Sequence, residues 1–151
     1  MSPEAASRFG LGPIDQVSYV VRSLDEALPR YEALYGPFER GRSPLTGCRY
    51  RGREVACTLK LAVNHAGPVE IELIEVESGN APHSEHLERH GEGLHHVRFR
   101  VTGIDARLAA LQAEGFETIF YKRFGPGVAF AYVETPEALG GSVIELLELP
   151  A

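Results

Sequence analysis

The stretch GEGLHHVRFRV, residues 91–101, sets two adjacent histidines at the head of an alternating run. Side chains of a regular strand point to opposite faces in turn, so neighbouring residues part company. Val97, Phe99 and Val101 form the apolar set, which packs under a helix, and His95 shares their parity. His96, Arg98 and Arg100 take the other face. The pattern predicts His96 at a polar site and His95 on the helix side or at the sheet end. His96→Ala should then abolish any metal binding, and His95→Ala should not.

The following residues, GIDARLAALQAEG (103–115), have helical spacing and a terminating glycine. The same strand and helix occur eighty positions earlier. IDQVSYVV (14–21) alternates like a half-buried strand, and SLDEALPRYEALYG (23–36) follows it. Ser23 and Glu26 open that helix as a capping box. Pro29 inside it predicts a kink or a late start. On this shift Gln16 falls on His96, Val17 on Val97, Tyr19 on Phe99 and Leu28 on Leu108. The ends of the halves match too: VEIELIE (69–75) resembles SVIELLE (142–148), with Glu72 on Glu145.

Each half therefore reads strand, helix, three strands. The later strands are expected near 38–44, 54–62 and 69–76, and near 117–123, 128–134 and 142–149. The polar link NAPHSEHLERHGEG (80–93) predicts a short helix around Ser84 to Arg89. His83, His86 and His90 share one face of it, read as solvated. The fold class is α+β: two tandem βαβββ modules forming one curled mixed sheet. One domain spans 1–151, with module one about 12–77, a linker 78–93 and module two about 94–150.

With 151 residues and a net charge of −6, the chain has room for one domain and little attraction for nucleic acid or an anionic membrane. It has no apolar run near the ~20 residues of a membrane span. MSPEAASRFG lacks the features of a signal peptide, so a cytoplasmic protein is expected. Cys48 and Cys57 read as free thiols rather than a zinc ribbon or a disulfide framework.

Parity also sorts the last strand of each half. Ile71 and Leu73, like Ile144 and Leu146, belong to the core under the helices. Glu70, Glu72 and Ile74, and Val143, Glu145 and Leu147, take the other side. Each module thus offers one polar side chain from its first strand and one glutamate from its last: Gln16, Glu72, His96 and Glu145. A single strand glutamate is usually just solvated. Two carboxylates, an imidazole and an amide oxygen at matching repeat positions instead suit a divalent metal.

IDQVSYVVRSLDEALPRYEALYG, GLHHVRFRVTGIDARLAALQAEGF and GGSVIELLE resemble the vicinal oxygen chelate superfamily, the fold of glyoxalase I, methylmalonyl-CoA epimerase, extradiol dioxygenases and bleomycin-resistance proteins. The resemblance spans nearly the whole chain. It implies paired βαβββ modules curled around a metal, with Gln16, Glu72, His96 and Glu145 as its ligands. That set resembles eukaryotic-type glyoxalase I. GLHHV and HLERHGEG resemble the epimerase branch, in which the first ligand is usually His rather than Gln. The epimerase glutamate ahead of the third strand has no counterpart; Gly52 or Arg53 falls there, and Glu54 is a near miss.

The implied function is a metal-dependent isomerase, epimerase or carbon–sulfur lyase that polarises a substrate carbonyl and removes the adjacent proton. Glu145 is the first candidate base and Glu72 the second. The ion is Zn, Ni, Co, Mn or Mg. The substrate is a small molecule, a CoA or glutathione thioester or an oxo acid, and the protein is expected to be a homodimer. Arg98 either meets a substrate carboxylate or phosphate or pairs with Glu70 or another wall glutamate. Phe130 and Tyr132 either line the pocket or belong to the core. A non-catalytic binding or resistance protein of the same fold is the alternative. An extradiol dioxygenase is less well matched, since it wants two histidines and one carboxylate.

Overall fold

A computed structural model describes residues 8–150; most of the MSPEAASRFG segment lies outside the described residues. The elements follow in the order β1 (Ile14–Val20), α1 (Leu24–Tyr35), β2 (Glu39–Tyr50), β3 (Arg53–Asn64), β4 (Glu70–Gly79), α2 (Pro82–His90), β5 (Gly93–Arg100), α3 (Ile104–Ala113), β6 (Glu117–Gly125), β7 (Val128–Glu134) and β8 (Val143–Glu148). The βαβββ order occurs twice. β1 lies parallel to β4, β5 lies parallel to β8, and β1 and β5 run antiparallel, which joins the halves along their first strands.

The curled sheet closes into a barrel, β1-β4-β3-β2-β6-β7-β8-β5. The closing seam is short: β2 meets β6 at Arg49↔Tyr121 and Tyr50↔Phe120. Alternation divides the apolar residues into three cores. Leu59, Ile74, Phe120, Tyr132 and Val143 pack inside the barrel. Leu24, Leu28, Ala62 and Leu73 pack under α1. Ile104, Leu108, Leu111, Ala131 and Leu146 pack under α3. Glu72 and Glu145, one residue out of step with Leu73 and Leu146, are thereby turned inward. Cys48 and Cys57 are free and buried in the barrel.

Local chemistry sets the element ends. The Ser23 hydroxyl accepts the Glu26 amide at 3.2 Å, capping α1. The helix starts at Leu24 despite Pro29, so the late start does not occur; the proline, in the second turn, lacks the N–H that would continue the intrahelical ladder there. At the far end of α3, Gly115 N–H reaches Gln112 O and Phe116 N–H reaches Leu111 O, a Schellman closure at a glycine with φ +87°. β2 runs on to Tyr50, past the expected 38–44, because a bulge between Leu45 and Cys48 with Gly47 at φ +63° absorbs the break in alternation. α2 begins at Pro82, a residue suited to a first helical turn. No helix among the described residues is long and apolar enough to cross a membrane.

The two repeat ends share a second device. Glu75 Oε1 accepts the Leu24 amide at 2.6 Å, and Glu148 Oε2 accepts the Ile104 amide at 2.8 Å. The last glutamate of VEIELIE and of SVIELLE thus caps the N-terminus of its own module's helix, where a carboxylate meets unpaired N–H groups and the positive end of the helix dipole. Glu148 is buried. Glu148→Ala strands a buried N–H, and we expect a loss of about 1–3 kcal/mol in a urea unfolding titration. An unchanged midpoint would exclude the cap as a stabilising contact.

Candidate functional site

Four strands, one pair from each module, bring the predicted donors together inside the barrel. His96 on β5 is buried, with Nε2 3.0 Å from Gln16 Oε1 on β1, 3.2 Å from Glu145 Oε1 on β8 and 4.0 Å from Glu72 Oε1 on β4. Gln16 is 1 % exposed and the carboxylate side chains of Glu72 and Glu145 are 13 % and 10 % exposed. Among the described residues no three His, Cys, Asp or Glu side chains are by themselves arranged to hold a metal ion; Glu72 is the outlying member, and the nearest donor to the imidazole is an amide. The three distances from His96 Nε2 nevertheless fall in the range expected of donors to a shared cation. Donors about 2.1 Å from a common ion stand about 3.0 Å apart at right angles and about 4.2 Å apart when opposed.

The neighbours orient these donors. The Gln16 amide nitrogen donates to Glu70 Oε1 at 2.6 Å, which turns its oxygen toward His96. Ser18 Oγ donates to Glu72 Oε1 at 2.9 Å. Burial pushes the Glu72 carboxyl up to about 7; the nearby Glu145 charge adds to this, while His96, Ser18 and Arg98 pull against it. With Asp15 and Glu70 close by, carboxylates outnumber the one guanidinium, Arg98, and this favours a cation.

Arg98 donates from Nε to Asp15 Oδ1 at 2.9 Å, and its NH1 stands 3.9 Å from Glu70 Oε1. Its nearest acidic partner is thus Asp15, an aspartate, with the expected Glu70 farther off. Burial works against its charge, and Asp15, Glu145 and Glu70 more than restore it. Asp15 has the wrong parity to face inward. It reaches Arg98 because the β1–β5 ladder slips between Ile14 and Gln16. Phe130 and Tyr132 both lie on the barrel wall, their ring centroids 5.7 Å apart. The Tyr132 ring packs on His96 at 4.9 Å, and its hydroxyl meets His83 Nε2 at 3.1 Å. Burial, then the Glu145 and Glu72 charges, hold that hydroxyl well above its ordinary range, so it stays neutral.

Two sequence expectations need correction. His83 does not lie on a solvated face: it is fully buried, and burial followed by the neighbouring His96 and His86 lowers it to about 3. Helical spacing placed the three histidines together but could not show that α2 lays its first turn on Tyr132. His95 does not pack under α3. Ser18 pairs with His96 while Tyr19 pairs with Leu94, leaving His95 as the extra residue of a bulge. A bulge re-aims side chains and suspends alternation. Both histidines are consequently buried, and their Nδ1 atoms meet at 2.7 Å.

A cavity of about 510 Å³ lies beside α2, lined in part by Arg51, Glu85, His86, Arg89 and His95. A second, about 490 Å³, is lined by His86, Gly91, His95 and His96. Val143 of the barrel core and His95 line both, and His96 lines the second, which therefore adjoins the four-residue cluster.

Comparison with known proteins agrees with this architecture. An uncharacterised Bacillus subtilis protein, YqjC, is 32% identical over 92 residues, 60% of this chain and 65% of that one; the chain thus spans just under two thirds of that relative's length. A hypothetical protein from Bacillus halodurans superposes with a TM-score of 0.66 at 24% identity, covering 92% of this chain and 95% of that one. Methylmalonyl-CoA epimerase from Mycobacterium tuberculosis superposes at 0.61 with 20% identity, over 93% and 90% of the two chains. The epimerase of Streptomyces coelicolor, crystallised with 2-nitronate-propionyl-CoA, gives 0.60 at 23% identity over 93% and 99%. At these identities the superpositions show a shared fold. Residues 15–132 match the family profile itself, and the chain belongs to the Glyoxalase/Bleomycin resistance protein/Dioxygenase superfamily.

Proposed function

We propose that this protein is a divalent-metal-dependent enzyme that removes a proton next to a substrate carbonyl, as an isomerase, epimerase or carbon–sulfur lyase. The observation that carries the reading is the convergence on His96 Nε2 of Gln16 Oε1, Glu145 Oε1 and Glu72 Oε1 at 3.0, 3.2 and 4.0 Å. Gln16, Glu72, His96 and Glu145 would hold the ion, one of Zn, Ni, Co, Mn or Mg. When bound, it supplies a Lewis acid that polarises the carbonyl.

The chain's own residues do the remaining work. Glu145 takes the proton at its carboxylate, and Glu72, on the other module, serves the opposite face. Arg98, held by Asp15, presents positive charge toward an acidic substrate, and Phe130 and Tyr132 provide an apolar wall. The substrate class is an oxo acid or an acyl thioester of CoA or glutathione, in keeping with the epimerases that share the fold. A homodimer is also proposed: among the described residues β2 pairs with β6 only at Arg49 and Tyr50, so most of that edge is free for a second copy. Molecular mass in solution tests it.

The decisive test is elemental analysis after dialysis against each metal in turn, followed by solvent deuterium exchange into candidate substrates. The proposal expects about one ion per chain and exchange at the carbon beside the carbonyl. Glu145→Gln keeps an oxygen donor but loses the base, and should slow exchange by about 10²–10⁴-fold. No retained ion under any condition would replace this reading with a non-catalytic binding protein.

A further inference from the structure

We infer that His95 is a positioning residue for His96: their Nδ1–Nδ1 hydrogen bond holds the His96 ring with Nε2 aimed at the Gln16, Glu72 and Glu145 oxygens. This rests on the metal-binding reading above. The two Nδ1 atoms are 2.7 Å apart, close enough for one shared N–H···N bond. The ring is aimed from its far side, since its other nitrogen faces the oxygens.

The choice of a second histidine has a chemical reason. His96 Nε2 faces the acceptor oxygens of Gln16, Glu72 and Glu145. Without a cation, Nε2 carries hydrogen and donates to Gln16 Oε1, leaving Nδ1 to accept from His95. When Nε2 gives its lone pair to a cation, the ring hydrogen moves to Nδ1, which then needs an acceptor. A backbone carbonyl could serve only the second state. An imidazole serves both: His95 donates from Nδ1 in the first state, and in the second it accepts at Nδ1 with its own hydrogen moved to Nε2.

The rest of the α2 contact holds His95 in place. Its ring lies 4.5 Å from His83, 4.9 Å from His86 and 5.4 Å from Tyr132, centroid to centroid. His83 is itself tied to the Tyr132 hydroxyl at 3.1 Å. Among the described residues His95 Nε2 is buried with no hydrogen-bond partner, and the bond to His96 is the polar contact that orients the ring. Partners of this kind behind a metal-binding histidine fix its tautomer and its direction.

The test begins with wild-type protein labelled with ¹⁵N at histidine, metal-free and zinc-loaded. NMR should detect coupling across the Nδ1–Nδ1 bond, with hydrogen on His95 Nδ1 when metal-free and on His96 Nδ1 when loaded. Absence of coupling in both states overturns the inference without any variant having to fold. Zinc affinity by chelator competition then compares His95→Phe, which keeps a packed ring, with His95→Asn, which keeps an amide near the Nδ1 position. The Phe variant should bind about 10–100-fold more weakly, and the Asn variant should recover most of the loss. Equal affinity in wild type and Phe, or equal loss in both variants, also overturns it. Wild-type protein that holds no zinc instead overturns the metal reading.

Discussion

His96→Ala leaves the protein without bound metal after dialysis under conditions in which the wild type retains about one ion per chain. His96 supplies the nitrogen of the set, and its Nε2 is the point on which the three oxygens converge. Its loss should exceed the roughly 10–100-fold cost of removing a partner behind a ligand. The variant also removes the largest influence that lowers the Glu72 pKa, while the Glu145 charge that raises it remains. Glu72 then becomes harder to ionise, which weakens the remaining oxygen ligands as well. Thermal melting of both metal-free proteins separates ligand loss from unfolding: added metal raises the wild-type midpoint by mass action and leaves the variant's unchanged. Full metal content in folded His96→Ala would refute the four-donor site. His95→Ala, expected from parity alone to have no effect, should instead weaken binding by an intermediate amount, because the bulge brings its Nδ1 onto His96.

Metal-free wild type loses stability relative to Glu72→Gln as pH rises from about 5 to 8. Burial raises the folded-state carboxyl from 4.5 to about 7. Between those values the folded protein binds the proton and the unfolded chain has released it. Stability from this group is therefore fully present below about 4.5 and lost as pH climbs through about 7. At about 1.4 kcal/mol per pH unit the shift corresponds to something on the order of 3 kcal/mol. Glu72→Gln has the same shape and no proton to lose, so the difference between the two curves isolates this group from surface carboxylates such as Asp25 and Glu77, whose pKa values are lowered by Arg40 and Arg42. Urea midpoints at several pH values provide the measurement. A difference that does not vary with pH would mean that Glu72 is ionised throughout. Added metal should reverse the trend in wild type, since ligation requires the carboxylate.

Strand periodicity was enough to determine much of this protein. Alternation in IDQVSYVV, VEIELIE, GLHHVRFRV and SVIELLE states which side chains share a face, and the repeat pairs those faces between modules. Gln16, Glu72, His96 and Glu145 could therefore be named before any coordinates, and the structure brings all four together. Glu70 and Ser18 were legible only as residues on the same face. Their work in turning the Gln16 amide and holding Glu72 depends on cross-strand register.

What only the tertiary structure decided lies where the ladder departs from regularity or where distant segments meet. Slips in the β1–β5 pairing turn Asp15 onto Arg98 and His95 onto His96, and a period-two pattern carries no mark of such a slip. The burial of His83 depends on Tyr132, 49 residues away. The capping by Glu75 and Glu148 depends on where each helix begins over the sheet. A side chain's facing direction is a local property that the chain writes into its own period. What that side chain touches is settled by packing between segments far apart in sequence.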